Sequence, residues 1–185
     1  MKLMIASDIH GSFYYGRLMI ESFWREKADR LILLGDILYH GPRNELPKGY
    51  APKEVITMLN HMKDKILSVR GNCDTEVDQM VLEFPIMADY AVVLLGSYMI
   101  YASHGHKYNQ KNLPPIQKGD ILLNGHTHIP KCVEHENYVY MNPGSISLPK
   151  ENSCHSYMIM SETSIVWKDL ENGIEYLSWK KGDFA

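Results

Sequence analysis

Short apolar runs, each ending at a polar or glycine-containing loop, set the pattern of this chain. Lys2 to Ala6 has the composition of a buried strand and delivers Ser7-Asp8-Ile9-His10-Gly11 into a loop. Tyr15, Leu18, Met19 and Phe23 then recur at helical spacing, and Leu31-Ile32-Leu33-Leu34 reads as a second strand, stopped by Gly35-Asp36. The unit repeats. Pro52 opens a helix whose Val55, Leu59 and Met62 share a face, and Ile66 to Val69 is a third strand ending at Arg70-Gly71-Asn72-Cys73-Asp74. Strand-helix-strand units of this kind imply parallel pairing of the three strands.

The second half has few helices. Tyr90 to Leu95, Tyr98 to Ser103, Ile121 to Leu123, Tyr138 to Met141, Tyr157 to Met160 and Ile174 to Ser178 read as strands, with hairpin turns at Leu95-Gly96-Ser97 and Glu136-Asn137. This half is expected to form an antiparallel or mixed sheet. Packed face to face with the first sheet, with helices outside, it makes an α/β sandwich of two mixed β-sheets. No repeat, low-complexity tract or linker divides residues 1–185, so a single domain is expected.

Five polar clusters stand where apolar runs end: Asp8-x-His10, Gly35-Asp36, Gly71-Asn72-Cys73-Asp74, His104-Gly105-His106 and Gly125-His126-Thr127-His128. Ligands of open α/β sheets gather beyond the carboxyl ends of strands, so clusters far apart in sequence can converge at one rim. Taken singly, each cluster is better explained by turn capping. Together they place two carboxylates, an asparagine and four histidines at strand ends, and a metal centre accounts for them better. Imidazole nitrogens with carboxylate oxygens suit Mn²⁺, Fe²⁺, Zn²⁺ or Ni²⁺ rather than Mg²⁺ or Ca²⁺, with manganese the first choice. Seven candidate ligands exceed the needs of one ion with open positions and suit two ions. Such a pair, about 3.5–4 Å apart, clamps a phosphate and holds the hydroxide for in-line displacement, so phosphoester hydrolysis is the matching reaction.

The order Asp-x-His, Gly-Asp, Gly-Asn-x-Asp, Ser-His-Gly-His, Gly-His-Thr-His resembles that of the calcineurin-like metallophosphoesterases, over essentially the whole chain. The tract Gly35-Asp36-Ile37-Leu38-Tyr39-His40-Gly41-Pro42-Arg43-Asn44, with Asn142-Pro143-Gly144-Ser145, is similar to the small bacterial phosphodiesterases of that family in particular. The resemblance implies the two-sheet sandwich already expected. It also implies that Asp8, His10, Asp36 and His128 bind one metal ion and Asp36, Asn72, His104 and His126 the other. Asp36 would bridge the pair, its two oxygens reaching two cations. In this family the residue after the asparagine is often histidine, whereas this chain has Cys73. A thiol is a less versatile acid than imidazole, so the hypothesis is a preference for substrates whose leaving group departs easily, against the reading of Cys73 as an inert core residue.

Other residues near the motifs have two readings. Arg43 either clamps a phosphate oxygen or is an ordinary loop residue, and His106 either touches substrate or hydrogen-bonds behind the ligands, as does His40. Asp74 either orients Asn72 or the attacking water, or caps the helix Glu76 to Met80. Asn142-Pro143-Gly144-Ser145 is a turn that also braces the rim. His61, His135 and His155 have no motif around them and are expected at the surface.

Charge and cysteine count narrow the partners. Lysine and arginine number 19 against 22 acidic residues, a formal net charge of −3, and the basic residues are scattered, which disfavours extended nucleic acid and hence a nuclease. The three cysteines show no metal or disulfide spacing, and no signal peptide or membrane-length apolar run is present, so a soluble protein in a reducing cytoplasm is expected. The expected partner is a small phosphoester. A catalytically silent scaffold, like a eukaryotic retromer subunit that resembles this fold, is the rival class, but every ligand position here holds a competent residue. Trp167, Tyr176 and Trp179, if exposed, would support a homo-oligomer.

Overall fold

The first apolar run becomes strand β1 (Leu3–Ala6), buried along its whole length, in a computed structural model that describes residues 1–180. Residues 181–185 of the expected domain lie outside the described residues. Helix α1 (Phe13–Arg25) starts at Ser12, whose hydroxyl accepts the backbone N–H of Tyr15, and turns Tyr15, Met19 and Phe23 inward. Strand β2 (Arg30–Leu33), helix α2 (Pro52–Asn60) and strand β3 (Ile66–Ser68) follow. The three strands pair in parallel, in the order β1-β2-β3. Met62 lies just beyond α2 yet is buried with Val55 and Leu59, because the chain turns back onto the same apolar layer.

Helix α3 (Glu76–Val81) is capped by Thr75, not Asp74: Thr75 and Asp78 exchange side-chain-to-backbone hydrogen bonds, so the capping reading of Asp74 does not hold. The strands β4 (Ala91–Leu95), β5 (Tyr98–Ala102), β6 (Asp120–Leu123), β7 (Pro130–Glu134) and β8 (Tyr138–Pro143) form a mixed five-stranded sheet in the order β4-β5-β6-β8-β7. The expected hairpins join β4 to β5 and β7 to β8. Strand β7 was not apparent in the sequence, since its Pro-Lys-Cys-Val-Glu has weak alternation and sits at a sheet edge.

The last strands depart from expectation. Strands β9 (Ser156–Met160), β10 (Ile165–Asp169) and β11 (Glu175–Trp179) return to the first sheet, which reads β11-β10-β9-β1-β2-β3. Adding β9 antiparallel to β1 leaves β1 buried on both edges and both faces.

Alternation along the strands then makes two cores. Leu3 and Ile5 face the second sheet with Ile100, Ile121 and Met141, while Met4 and Ala6 face α1 and α2 with Phe23 and Leu59. The helical layer covers the six-stranded sheet; Tyr101, Leu122, Tyr138 and Tyr140 form a smaller cluster closed partly by Ile116. Trp167 is fully buried between the sheets, its indole N–H donating to the Asn142 carbonyl at 2.7 Å, and Trp179 is buried as well. Of the three aromatics offered for self-association only Tyr176 is exposed. His61 and His135 are exposed as expected. His155 is not a free surface residue: it is half-buried and stacks on Tyr15 at 3.9 Å between ring centroids.

Candidate active site

Each expected ligand follows the carboxyl end of a strand: Asp8 and His10 after β1, Asp36 after β2, Asn72 after β3, His104 after β5, His126 and His128 after β6. Because β1, β2 and β3 run parallel in one sheet and β5, β6 and β8 in the other, the packed sheets bring these ends together. The backbone there is unusual. Of the eight non-glycine residues with positive φ among the described residues, five are Asp8, His10, Asp36, His126 and His128. Each such conformation costs about 1–3 kcal/mol and persists where surrounding structure imposes it, as at ligand clamps.

The side chains form two sets that share one atom. In the first, His128 Nε2 lies 3.2 Å from both Asp8 Oδ1 and His10 Nε2, and His10 Nε2 is 3.7 Å from Asp36 Oδ2. In the second, His104 Nε2 lies 3.0 Å from Asn72 Oδ1, 3.1 Å from His126 Nδ1 and 3.5 Å from the same Asp36 Oδ2. Asp36 Oδ1 is turned away and accepts the Cys73 N–H at 2.8 Å. The sequence reading gave each cation its own Asp36 oxygen. The geometry instead presents a single oxygen to both sets, because the other is occupied by a backbone donor.

This arrangement fits cations. His10 Nδ1 donates to the Tyr39 carbonyl at 2.8 Å, His104 Nδ1 to Leu34 at 2.7 Å and His128 Nδ1 to Leu148 at 2.6 Å, so in the neutral rings each Nε2 carries a lone pair. The lone pairs of His10 and His128 then face each other, beside a buried Asp8 Oδ1 that has no hydrogen-bond partner among the described residues. A buried acceptor cluster of this kind is costly unless a cation or proton occupies it. Ligands about 2.1 Å from one ion lie about 3.0 Å apart at right angles and about 3.4 Å apart at the tetrahedral angle, close to the spacings here. Burial by itself would raise the Asp8 carboxyl, but hydrogen bonds from the His10 and His128 rings, when these carry a proton in place of a cation, outweigh it and hold it well below the usual carboxylate range.

A cavity of about 280 Å³ opens over these ligands, walled by His10, Asp36, Asn72, His126 and His128 together with Arg43 and Lys150. Arg43 therefore lines the cavity. Lys150 was not singled out in the sequence. It is brought in by a tight turn whose N–H donates to the His128 carbonyl, and only a fold that returns the chain after β8 to the rim reveals it.

The model of the calcineurin-like phosphoesterase superfamily domain matches residues 1–164. The chain belongs to that superfamily. It is similar to phosphodiesterase YfcE of Escherichia coli strain K12, with 48% identity over 157 residues, 85% of each protein. The solved structure of Yfce, a phosphoesterase from E. coli, matches with a TM-score of 0.94 at 42% identity, over 97% of this chain and 99% of that one. Vacuolar protein sorting 29 from Cryptosporidium parvum matches with a TM-score of 0.61 at 20% identity, over 97% and 98% of the two chains, a likeness of fold alone. Divalent metal ions are the cofactors that membership of this superfamily implies.

Around these candidate ligands of the phosphoesterase a frame of hydrogen bonds fixes the rim. Asp74, almost fully buried, accepts the backbone N–H groups of Asp36, Ile37 and Gly71 at 2.7–2.9 Å, so it braces the loop rather than the Asn72 side chain. Burial pushes its carboxyl up in spite of these donors. Ser145 and Ser147 both donate to the Asp8 carbonyl, and Asn142 donates to the Gly125 carbonyl at 2.7 Å, which bears out the bracing role of Asn142-Pro143-Gly144-Ser145. Gly35 has φ +93°, open to glycine alone, and a Cβ on Gly71 would collide with the Asp36 backbone and carboxylate.

Cys73 and His106 line different cavities. Burial, followed by the Asp36 carboxylate, pushes the Cys73 thiol up to about 12. Burial, followed by the neighbouring His104 and His126 rings, pushes the His106 imidazole down to about 4. His106 does not line the cavity of Arg43 and Lys150; it lines a neighbouring one. His40 leans edge-on against Tyr39 and Tyr50, outside the ligand sets.

Proposed function

We propose that this phosphoesterase is a metal-dependent phosphodiesterase that hydrolyses a small phosphoester at a site for two divalent ions. The observation that carries the reading is the position of Asp36 Oδ2, within 3.7 Å of His10 in one ligand set and 3.5 Å of His104 in the other. Asp8, His10, Asp36 and His128 would hold one ion, and Asp36, Asn72, His104 and His126 the other, with Mn²⁺ favoured among ions that accept mixed nitrogen and oxygen shells. When bound, such ions supply Lewis-acid stabilisation of phosphoryl oxygens and lower the pKa of a coordinated water.

The chain's own groups account for the rest. Arg43 and Lys150 bring positive charge to the cavity wall and orient a phosphoryl group. Asp74 fixes the loop that presents Asp36 and Gly71. In hydrolysis a P–O bond to water forms, the P–O bond to the alcohol breaks, and the alcohol departs with a proton. Cys73, with its thiol pushed to about 12, is a poor source of that proton at neutral pH. Similarity to a protein named phosphodiesterase supports the choice of diesters.

The test is hydrolysis of bis(4-nitrophenyl) phosphate and 4-nitrophenyl phosphate by metal-stripped protein given Mn²⁺, Zn²⁺, Ni²⁺ or Mg²⁺, beside Asp36→Ala and His104→Ala. Metal-dependent turnover, faster on the diester and lost in both variants, is the expected result. Equal inactivity of all three proteins without tight metal binding would overturn the reading in favour of a scaffold.

A further inference from the structure

Beside the ligand cavity lies a second one of about 320 Å³, and His126 belongs to the wall of both. The second cavity is built by residues that follow β5 and β6 together with Tyr140 of β8, and its lining is polar but almost free of charge: His106, Asn109, Gln110, Asn124, Thr127 and Tyr140, with Lys111 the one charged side chain. Two of its lining residues each hold a buried polar atom without a hydrogen-bond partner among the described residues. Asn124 is 1% exposed, and its amide nitrogen is committed to the Ser103 hydroxyl at 2.7 Å and to the Tyr108 carbonyl at 3.3 Å. Those acceptors fix the amide orientation, which leaves Oδ1 buried without a hydrogen-bond partner among the described residues. His106 Nδ1 is in the same condition.

A buried acceptor left unpaired, as Asn124 Oδ1 is, costs about 1–3 kcal/mol, a cost removed when a ligand donates to it. The wall carries no carboxylate that would call for a cationic ligand. Its aromatic side chains are few, and Tyr140 is itself almost fully buried. Its hydroxyl and amide groups match an alcohol that bears further hydroxyls. A cavity sharing the His126 wall with the phosphate site stands where one arm of a diester would extend.

We propose that the second cavity is the subsite for one alcohol arm of the substrate, and that it selects a small polyhydroxylated group, of the glycerol or sugar class, through donation of substrate hydroxyls to Asn124 Oδ1. This rests on the phosphodiesterase reading above and deepens it from phosphoesters in general to diesters with one hydroxyl-rich arm. Sites built to hydrogen-bond a hydroxyl reject the analogue that lacks it, because the buried group is then left unpaired.

The experiment compares 4-nitrophenyl 2,3-dihydroxypropyl phosphate with 4-nitrophenyl propyl phosphate, which share a leaving group and a carbon skeleton. With Mn²⁺ the dihydroxypropyl ester is expected to have at least about tenfold higher kcat/KM. Asn124→Ala is expected to bring that ratio below about threefold, and Gln110→Ala, an exposed position that tolerates truncation, is expected to lower it in the same direction. Independently of turnover, glycerol 3-phosphate but not propyl phosphate should shift the NMR amide resonances of residues 105–112 and 124. A ratio near one in the wild type, a ratio that neither variant alters, or identical NMR responses to the two monoesters would overturn the subsite. Absence of turnover of both esters with every metal would instead overturn the phosphodiesterase reading.

Discussion

Asp74 Oδ2 accepts the backbone N–H of Asp36 at 2.8 Å, and the other Asp74 oxygen accepts the N–H of Ile37 at 2.9 Å. The loop after β2 thus hangs on a carboxylate from the loop after β3, and Asp36 takes its positive φ within that grip. Asp74→Asn keeps the shape but turns an NH₂ group toward backbone donors. It should lower affinity for metal about 10–100-fold while the protein still folds, since groups that orient ligands typically act on that scale. Isothermal titration of Mn²⁺ with circular dichroism as the folding control checks this; unchanged affinity would show that the loop holds its form without Asp74.

The shared Asp36 oxygen gives a prediction about stoichiometry. His128 touches only the first ligand set and His104 only the second, apart from their contacts to carboxylates. His128→Ala and His104→Ala are each expected to retain one ion per chain where the wild type binds two, whereas Asp36→Ala binds neither tightly. Metal content after dialysis, measured by mass spectrometry, decides it. A wild type that saturates at one ion would reduce the site to a single metal centre.

The positions of the candidate ligands were legible in the sequence because strands in a parallel arrangement end at one side, and short apolar runs followed by Asp, Asn or His mark those ends without any knowledge of packing. Ser7-Asp8 and Gly35-Asp36 are of this kind. What escaped had non-local causes. Strand β10, Ile165–Asp169, gains its place by pairing with β9 and by burying Trp167 between sheets, and nothing in five residues announces either. Lys150 reaches the cavity through a turn fixed by His128, and the single-oxygen geometry of Asp36 depends on the Cys73 N–H. The grip of Asp74 belongs to the same group, since Asp before Thr-Glu looks like a helix cap until the backbone shows Thr75 in that role.

Cys73 offers a gain-of-function test. Its backbone N–H holds Asp36, a contact any residue but proline keeps, while its half-buried thiol is pushed up to about 12 and gives little acid catalysis. Rates on a series of aryl alkyl diesters should therefore fall steeply as the leaving phenol becomes less acidic. Cys73→His places an imidazole at that flank and is expected to flatten the slope, with about tenfold or greater gain on the poorest leaving groups, at the low end of general acid contributions. Equal slopes for the two proteins would assign Cys73 a packing role only.

Away from the site, Glu26 joins the end of α1 to the far strands of the six-stranded sheet: Lys168 Nζ lies 2.8 Å from Glu26 Oε1, and the Tyr157 hydroxyl donates to the same oxygen at 3.0 Å. Burial by itself would raise the Glu26 carboxyl, but the hydrogen bonds from Lys168 and Tyr157 outweigh it and lower it below its ordinary 4.5. A carboxyl whose folded pKa is depressed contributes stability that is complete above its unfolded pKa and is lost as pH falls through the folded value. Both side chains of the pair are largely buried, at 12% and 21% exposed, so screening is weaker than for a surface pair. Lys168→Met keeps most of the apolar stem and removes the charge, and is expected to cost about 1–2 kcal/mol at pH 7, between the values for exposed and fully buried pairs. Urea denaturation of metal-free wild type and variant should show that difference at pH 7 and a shrinking one as pH falls below about 4. If the difference stayed constant down to pH 3, the loss would come from packing of the lysine stem rather than from the Glu26 charge.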